Sequence, residues 1–502
     1  MRIAMKIGSQ HALYAAVAIV LALPAVFPSH SDAQTAGNKA VYGPSGVTFS
    51  TAYIDASAVA QGSNICVTLS NILSGTAFNN TNGAVIDARG IHPGTTQPCT
   101  VDPWGTIPSG GWDTPATILL PSGTITISKT WIIPNFSKII GEGPGVTTLA
   151  AVSNFVTEVD NVNAMVEMGS IYSAACSGTY CFCGGTASTK PADCVGVGVR
   201  DLTLDASSYT GSSKIIGVEN QASQELSIVD HVTFNDAPIS TQSNGMLGLD
   251  VFANQSGNTS FPCAISGDTC SSNNSGPYSN LIFTAGSHAG AGTQCAAITG
   301  EAGIRGIHGM SCSSALSTLP AAGITLDATS TTIEDVYING FTDGIQVGEK
   351  GLATQADVLI NITGGSTMTH LIHIESVDSA GIGSSNCPPS AGSTEDVCDL
   401  SILQATSATG TTIQDDITSA TLAHSTDATV GMYVLGEELG SSASGQYSRF
   451  STSPTYPSWS VGNTSPAGDS CTSSGSLYSN TSATSTTGTL FACVSTTWMA
   501  VK

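Results

Sequence analysis

Short runs of Ile, Val, Leu and Thr fill the chain from residue 117 to residue 151, and breaks rich in proline and glycine separate them. Residues branched at Cβ favour strands, whereas glycine and proline supply turns. None of the runs is long enough for the apolar repeat of an amphipathic helix. The pattern therefore predicts five short strands, within Thr117–Pro121, Thr124–Ser128, Trp131–Pro134, Lys138–Gly141 and Val146–Leu149.

A five-residue motif recurs farther along the chain. Asp-Val-Tyr-Ile-Asn begins at residue 335 and Asp-Val-Leu-Ile-Asn at residue 357, an offset of 22 residues, and looser versions begin at residues 201 and 231. A fixed period near 20 residues is typical of a solenoid, in which each unit buries its apolar face only by stacking on the next. The motif therefore predicts parallel strands stacked coil on coil.

The offset of 22 also predicts a register. Asn339 and Asn361 would then be vertical neighbours in an amide ladder at a bend of the coil. The apolar residues of the two motifs would point into the core, namely Val336, Ile338, Val358 and Ile360.

The segments before and after the repeats differ from the repeats in their sequence pattern. Residues 64–78 carry apolar residues at a helical spacing and predict a short amphipathic helix that covers one end of the stack, followed by a strand within Gly83–Gly90. Residues 435–469 are rich in Ser, Gly and Pro and predict a linker, and two strand runs follow it. The predicted organisation is a signal peptide (1–33), an extended lead-in (34–63), a parallel β-helix (64–434), the linker (435–469) and a small C-terminal β module (470–502).

Charge narrows the possible partners. The chain carries 13 Lys and Arg against 36 Asp and Glu, for a net charge of −23. Nucleic acid is excluded because its binding needs a basic face. A polyanionic substrate is disfavoured unless calcium or a local basic patch compensates. The low content of charged residues and the 55 glycines suit a repetitive β structure.

The start of the chain, Met1–Ala33, has the pattern of a signal peptide. Arg2 and Lys6 form the charged start, Ala12–Val26 the apolar centre and Ser31–Ala33 a small-residue cleavage site. The alternative is a membrane anchor, but the apolar run is short and is broken by proline. No later stretch is long and apolar enough to span a bilayer, so the sequence predicts a protein that is secreted or displayed at the cell surface.

The 14 cysteines predict disulfides, because their number is even and the chain carries an export signal. We expect pairing within neighbouring sets. Zinc is the alternative for the set of four, although that set lacks paired Cys-x-x-Cys knuckles. The sets are Cys66 and Cys99; Cys176, Cys181, Cys183 and Cys194; Cys263 and Cys270; Cys295 and Cys312; Cys387 and Cys398; Cys471 and Cys493.

Three N-terminal segments carry a family resemblance: Ala84-Val-Ile-Asp-Ala-Arg89, Leu119-Leu-Pro-Ser-Gly123 and Ile139-Ile-Gly-Glu-Gly143. With the later repeats, residues 64–434 resemble the pectate lyase superfamily. The resemblance implies an all-β fold, a right-handed parallel β-helix solenoid with an N-terminal capping helix and, here, a small C-terminal β module. Such folds host lyases, glycoside hydrolases, epimerases, phage tailspikes and adhesins, so function has to be argued from the site.

The segment Gly300–Gly309 holds the candidate catalytic residues Glu301, Arg305 and His308. A carboxylate can act as general acid or base, and an arginine can hold a sugar acid or stabilise negative charge. In a regular strand Glu301 and Arg305 share a face and His308 points the other way, so a bend would be needed to unite them. The alternative is a surface Arg–Glu pair beside an exposed histidine.

Two other sites known from the superfamily fit less well. Calcium-dependent lyases would need clustered aspartates, but Asp201, Asp205 and Asp230 more simply cap turns. Polygalacturonase-type hydrolases use an Asp pair before a Gly-His-Gly turn and a later Arg-x-Lys. Here Asp415-Asp416 follows His308, and no Arg-Ile-Lys follows, so that assignment is rejected.

The sequence therefore predicts a secreted protein that binds a polysaccharide or cell-surface glycan. As an enzyme it would cleave that polymer by hydrolysis or β-elimination. The alternative is a non-catalytic adhesin or matrix protein that uses the coils as a binding or assembly scaffold. No cofactor or metal is expected; calcium is left open without a ligand set that indicates it, and the oligomeric state is not predicted.

Overall fold

The computed structural model describes most of the chain between residues 53 and 500. The described residues belong to one compact unit, residues 42–502. They are 53–59, 63–74, 83–104, 115–156, 163–169, 194–220, 223–242, 244–252, 275–300, 305–328, 331–348, 354–355, 357–374, 397–398, 401–408, 411–415, 433–435, 459–462, 467, 477–480, 490–495 and 497–500.

Strands dominate the described residues, and the α-helix among them is α1 (Ile65–Leu73). The strands are β1 Tyr53–Asp55, β2 Ala84–Asp87, β3 Thr95–Cys99, β4 Ala116–Leu119, β5 Gly123–Lys129, β6 Trp131–Ile133, β7 Lys138–Ile140, β8 Thr147–Val156, β9 Ala164–Met168, β10 Gly198–Asp205, β11 Ile215–Asn220, β12 Ile228–Asp236, β13 Met246–Phe252, β14 Tyr278–Ala285, β15 Gln294–Gly300, β16 Ile307–Ser314, β17 Ala322–Ala328, β18 Thr332–Asn339, β19 Phe341–Val347, β20 Thr354–Gln355, β21 Val358–Gly364, β22 Met368–Ile374, β23 Val397–Cys398, β24 Ser401–Ser407, β25 Thr411–Asp415, β26 Tyr433–Leu435, β27 Trp459–Gly462, β28 Leu477–Asn480, β29 Leu490–Val494 and β30 Thr497–Ala500.

Two parallel sheets form the body of the solenoid. The long sheet runs β1-β2-β4-β7-β10-β12-β14-β16-β18-β21-β24-β26, and β3, β5 and β8 pair beside this path. The second sheet runs β6-β9-β11-β13-β15-β17-β19-β22-β25. From β10 to β19 the chain alternates between the sheets, so each coil adds one parallel strand to each sheet and buries its apolar side against the other. This confirms the predicted all-β parallel solenoid.

The N-terminal prediction is confirmed in its main features. Asn64 caps α1, because its side-chain oxygen accepts hydrogen bonds from the N–H groups of Cys66 and Val67. The predicted disulfide Cys66–Cys99 ties the helix to β3. The five predicted strand runs correspond to β4–β8. The long sheet already includes β1, so it begins within the segment predicted as a lead-in.

The register predicted from the repeated motif is wrong. Met310 pairs with Val336, and Val336 pairs with Ile362, so both steps are 26 residues and not 22. Asn361 therefore donates from Nδ2 to Asp335 Oδ1 at 2.6 Å. Asn339 accepts from the backbone N–H of Thr367 at 2.9 Å, beyond the next strand. The two motifs resemble each other, but they do not occupy equivalent positions of the coil.

This shift changes which residues face the core. Val336 and Ile338 are buried as predicted, but Val358 and Ile360 are only partly buried, and Leu359 takes the inward position between them. Side chains alternate along a strand, but the left-handed residue that the register skips interrupts this alternation. Val336 and Ile338 follow the left-handed Asp335, whereas Val358 and Ile360 precede the left-handed Asn361, so the two pairs point to opposite faces. The looser motifs at residues 201 and 231 do stack in register: Asn235 Nδ2 donates to Asp205 Oδ1 at 3.0 Å.

A column of left-handed residues bends the long sheet. Six successive strands each place one residue at a φ between 52° and 77° at the same level, and the strand register skips this residue. Asn and Asp tolerate this backbone conformation better than other L residues, and glycine has no Cβ to clash. The column consists of Asp201, His231, Asn280, Gly309, Asp335 and Asn361.

Several further predictions concern disulfides and the ends of the chain. The predicted bridge Cys295–Cys312 is present, and Cys194 and Cys493 are also disulfide-bonded. The disulfide at Cys194 disfavours the zinc alternative for its set.

The partners in the remaining predicted pairs, the signal peptide and most of the linker lie outside the described residues. Strands β27–β30 form a separate four-stranded sheet, which confirms a small C-terminal β module. Its first strand, β27, lies within residues 435–469, so the module begins inside the segment predicted as a linker. Within the described chain, no helix is long and apolar enough to cross a membrane.

A buried carboxyl group predicts how stability depends on pH. Asp357 is fully buried, and its Oδ1 accepts a hydrogen bond from the N–H of Thr331 at 2.6 Å. Burial raises the pKa of Asp357 well above its ordinary value; the Thr331 hydrogen bond opposes this rise, and the charge of Asp327 adds to it. Because folding raises this pKa, the neutral carboxyl group favours the folded state. The stability that it contributes is complete below its unfolded pKa of about 3.9 and is lost as the pH rises through the folded pKa.

We therefore expect Asp357→Asn to be more stable than the wild type at pH 8, by about 1–3 kcal/mol, because asparagine never places a charge here. The difference should shrink towards pH 4, where the carboxyl group is neutral in both folded and unfolded chains. Urea unfolding midpoints at the two pH values measure it. A variant that is less stable than the wild type at pH 8 would contradict this explanation.

Candidate functional site

Polar side chains from five neighbouring strands line up on the outward face of the long sheet. Arg200 pairs in register with Asp230, then Ser279, His308 and Glu334 follow on β14, β16 and β18. Parallel strands lie about 4.8 Å apart, so this polar column is roughly 19 Å long. The residue before each of these side chains points inward and is fully buried: Val199, Val229, Tyr278, Ile307 and Ile333.

Asp230 is the centre of one half of the polar column. Its Oδ2 accepts from Arg200 at 2.7 Å, and its Oδ1 accepts from Ser279 at 2.8 Å and Asn280 at 2.9 Å. Burial alone raises the pKa of this carboxyl group, but the hydrogen bonds from Asn280, Ser279 and Arg200 outweigh burial and lower the pKa. The charged Asp230 carboxylate therefore stabilises the fold, and this contribution is lost as the pH falls. Asp230→Asn is a control for Asp357→Asn, because the two substitutions should change stability at pH 8 in opposite directions.

His308 lies in the other half of the polar column and has a partner that the sequence did not reveal. Its Nδ1 is hydrogen-bonded to Glu334 Oε1 on the next coil, and its Nε2 lies 2.8 Å from the carbonyl oxygen of Arg305. Arg305 itself is exposed, whereas Glu301 lies outside the described residues. The contact with Arg305 uses its backbone carbonyl and not the guanidinium group on which the prediction relied, so the predicted catalytic set of three remains a prediction. The structure adds Glu334, which lies a full coil beyond His308 along the chain.

The chemistry of this half is limited by its geometry. Both ring nitrogens of His308 face oxygen atoms, so the imidazole orients the Glu334 carboxylate and is not open to a substrate. Glu334 has a partly exposed side chain and is the carboxylate of the column that a ligand at this end can reach. Asp230 lies three strands away, about 14 Å along the column. Glycosidases separate their two carboxyl groups by about 5–10 Å, so this pair does not fit hydrolysis.

A second outward column lies beside the first, beyond the left-handed bend. Thr203, Thr233, Ile282, Ser311 and Tyr337 occupy one register position on the same five strands. Thr203 is buried, so the surface that a ligand can reach begins at Thr233. Ile282 and Tyr337 are 43% and 42% exposed, so both present apolar surface to the solvent. This hydroxyl column therefore combines hydrogen-bonding groups with apolar surface, and aromatic faces and hydroxyl groups are the two features that bind sugar rings.

Of the three aspartates expected to cap turns, Asp205 does so, whereas Asp201 and Asp230 contact side chains of neighbouring coils. Asp205 Oδ1 accepts from the N–H of Ser207 at 2.9 Å, two residues along the chain. Asp201 Oδ1 lies 2.7 Å from His231 Nδ1 on the next coil. Both carboxylates are therefore already hydrogen-bonded within the long sheet, and their contacts provide no evidence for a calcium site.

Three more carboxylates stack on the second sheet. Glu219 pairs in register with Glu167 on one side and with Asp250 on the other. Neighbouring strands at about 4.8 Å give a spacing near that of retaining glycosidases. However, the Glu167 and Glu219 side chains are buried, at 0% and 4% exposure, so this stack is not open to a polymer.

The second sheet also holds a compact set of potential metal ligands, which we name the His–Asp–His cluster: Asp343 on β19 with His370 and His373 on β22. His370 Nδ1 lies 2.6 Å from Asp343 Oδ1, and His373 Nδ1 lies 2.9 Å from Asp343 Oδ2. The sequence analysis missed this cluster because the carboxylate belongs to the coil before the one that carries the histidines. Two histidines three residues apart would also point to opposite faces of a regular strand.

Comparison with known proteins gives little support for a specific family. No family model matches the chain, and no curated protein matches it. Among solved structures, ORF18 of Geobacillus virus E2 is 11% identical over 63% of this chain, with a TM-score of 0.28, and the match spans 57% of the viral chain. The A-module of the Azotobacter vinelandii mannuronan C-5 epimerase AlgE6 is 10% identical, covers 76% of this chain and 98% of the module, and has a TM-score of 0.21. Such low TM-scores carry no functional argument, and the fold assignment rests on the strand pairings.

Proposed function

We propose that this chain is a secreted β-solenoid that binds an extended polysaccharide along the outward face of the long sheet. The observation that carries the proposal is the alignment of the polar column, Arg200 to Glu334, in register over five strands. A polymer with a short repeat can contact such a surface at successive coils. Sugars need hydrogen-bonding groups beside apolar surface, and the hydroxyl column supplies both next to the polar column.

The charges of the polar column favour a neutral glycan. Arg200 is already paired with Asp230, and His308 with Glu334, so little positive charge is left for a polyanion. The net charge of −23 adds long-range repulsion. Disulfides such as Cys295–Cys312 fit an oxidising compartment and support the secreted location within this proposal. The resemblance of the N-terminal segments to the pectate lyase superfamily agrees with a carbohydrate ligand.

The proposal predicts a specific loss of binding on removal of one exposed ring. Tyr337→Ala should weaken binding of soluble neutral glycans, such as xylan, galactomannan and β-glucan, by about tenfold, since a lost stacking contact is worth about 1.4 kcal/mol. Isothermal titration measures it for each polymer. The matched control is Ile239→Ala, which removes a 96% exposed apolar side chain away from both columns and should leave binding unchanged.

Two outcomes would contradict the proposal: no binding of any glycan by the wild type, or equal binding by the wild type and Tyr337→Ala. Binding of polygalacturonate or alginate in preference to neutral polymers would overturn the charge argument. Each variant is checked by its thermal unfolding before the titration.

Cleavage of the bound polymer is the catalytic form of the proposal, with Glu334 as the acid or base in place of Glu301. Glu334→Gln would then lower turnover roughly 100-fold or more while binding persists. Asp335→Asn is the matched control, because asparagine already occupies the equivalent left-handed position at Asn361. Release of reducing ends and absorbance of unsaturated products distinguish hydrolysis from elimination.

The rival function is a non-catalytic adhesin or matrix protein. The observation in its favour is that the described part of the polar column holds no carboxylate pair at glycosidase spacing. Glycan binding without turnover on any polymer in the panel would support this rival over the enzyme.

A further inference from the structure

The His–Asp–His cluster is separate from the proposed glycan surface because it lies on the other sheet. Asp343 and His370 occupy the same register position on neighbouring parallel strands, and His373 follows three residues later. The two residues between the histidines, Leu371 and Ile372, are both fully buried. Two consecutive inward side chains mark a local bend, and this bend lets both imidazoles emerge on the same side of β22.

The ligand atoms of the cluster are close enough to share one ion, although the two Nδ1–O distances, 2.6 and 2.9 Å, are hydrogen-bond distances that would lengthen when an ion binds. The three ligating atoms lie within 4.8 Å of one another. Zinc binds imidazole nitrogen and carboxylate oxygen at about 2.0–2.2 Å, so tetrahedral ligand atoms are separated by about 3.4 Å. The two Nδ1 atoms contact different oxygens of Asp343, and the ring centroids are 5.0 Å apart. A cation can therefore enter between the three groups with small side-chain rotations.

Burial of the cluster would favour the binding of a cation. The Asp343 side chain is 9% exposed, and those of His370 and His373 are 21% and 13% exposed. A carboxylate in such a place is poorly hydrated and gains more from a neighbouring positive charge than a surface carboxylate does. The remaining exposure lies on the histidines, which leaves room for a water molecule as a fourth ligand.

The donor set selects the class of metal. Two imidazole nitrogens and one carboxylate oxygen are borderline ligands that suit zinc and its neighbours, whereas calcium and magnesium prefer oxygen donors alone. Three protein ligands with an open fourth position are typical of zinc sites that bind water or a substrate.

We propose that Asp343, His370 and His373 form a binding site for one divalent transition-metal ion, with zinc as the best match. The site is independent of the glycan surface, so either proposal can fail while the other stands. It also changes the expectation from sequence, which included no metal.

Zinc titration of the full chain tests the proposal. After dialysis against a chelator, the wild type should bind about one zinc per chain in this site, measured by calorimetry and by metal analysis. His370→Ala and Asp343→Asn should each weaken that binding by at least tenfold. The cobalt(II) form should show the intense visible absorption of a tetrahedral ion, which a purely structural hydrogen-bonded cluster would not give.

The matched control is His231→Ala. His231 also bonds an aspartate on the neighbouring coil, at 2.7 Å, but it belongs to a single pair on the long sheet. The His231→Ala variant should therefore bind zinc as the wild type does. If His370→Ala fails to fold, His370→Gln and His373→Gln replace it, because glutamine preserves bulk and a hydrogen-bond donor. No zinc uptake by the wild type, or equal uptake by the wild type and the cluster variants, would overturn the proposal.

Discussion

Replacement of Gly306 by alanine is expected to destabilise the coil by more than about 4 kcal/mol, the range reached only by severe backbone or core defects. Gly306 has a φ of +84°, and an added Cβ would overlap the carbonyl oxygen of Thr332 on the neighbouring strand. The obstacle is backbone, so no rotamer change can relieve it. The carbonyl of Gly306 also accepts a hydrogen bond from the N–H of Tyr278 at 3.0 Å, which ties the same residue to the preceding coil.

The matched control for this prediction is Gly309→Asn, three residues along the chain. Gly309 has a similar φ of +77°, but an added Cβ would meet only Asn280, at 3.8 Å or more. Asn280 and Asn361 already hold the equivalent position on other coils. We expect a change within about 1 kcal/mol, since asparagine tolerates the left-handed region. Denaturant unfolding of both variants distinguishes the effect of the clash with Thr332 from the effect of the left-handed backbone conformation. Equal losses of stability in the two variants would show that the clash does not contribute.

Truncation of Phe234 to alanine is expected to cost about 3–5 kcal/mol. Phe234 is fully buried on β12, and its ring would touch a Cβ added at either Gly217 or Gly248 of the second sheet. These two glycines leave the space that the ring fills between the sheets. Phe283 stacks in register on the next coil and Leu204 on the coil before, so the cavity would open inside a continuous apolar column.

Tyr337→Ala is the control for Phe234→Ala, because it removes an aromatic ring of similar size from the exposed face of the same sheet. Its loss of stability should be about 0.5 kcal/mol, as for other surface substitutions. The same variant reports on glycan binding, so a small stability change also shows that any loss of affinity is not caused by unfolding. A loss below about 1 kcal/mol for Phe234→Ala, well under the usual cost of a core cavity, would mean that the two sheets are not packed as described.

The strands themselves follow from local sequence. The five runs between residues 117 and 151 are strands, and α1 begins after the capping residue Asn64, because propensity and capping act over a few residues. The disulfides Cys66–Cys99 and Cys295–Cys312 follow from neighbourhood along the chain. The solenoid itself was predictable because no short unit of this kind can bury its own apolar face.

The register was not predictable, because coils differ in length. Thr233 pairs with Ile282, whereas Met310 pairs with Val336, so the first of these coils is almost twice as long as the second. Loops of variable length leave no constant period to read, and a chance likeness between two motifs suggested a period that the coils do not follow. The pairing of His308 with Glu334 depends entirely on this register.

The sequence by itself determined that the chain forms short strands, a capping helix and paired cysteines, since these depend mainly on residues near one another along the chain. Only the tertiary structure decided which side chains share a surface. Backbone hydrogen bonds between coils set the register, and a shift of one residue would turn each side chain to the opposite face. The polar column and the His–Asp–His cluster therefore exist only in the stacked solenoid, where residues 26 to 49 positions apart become neighbours.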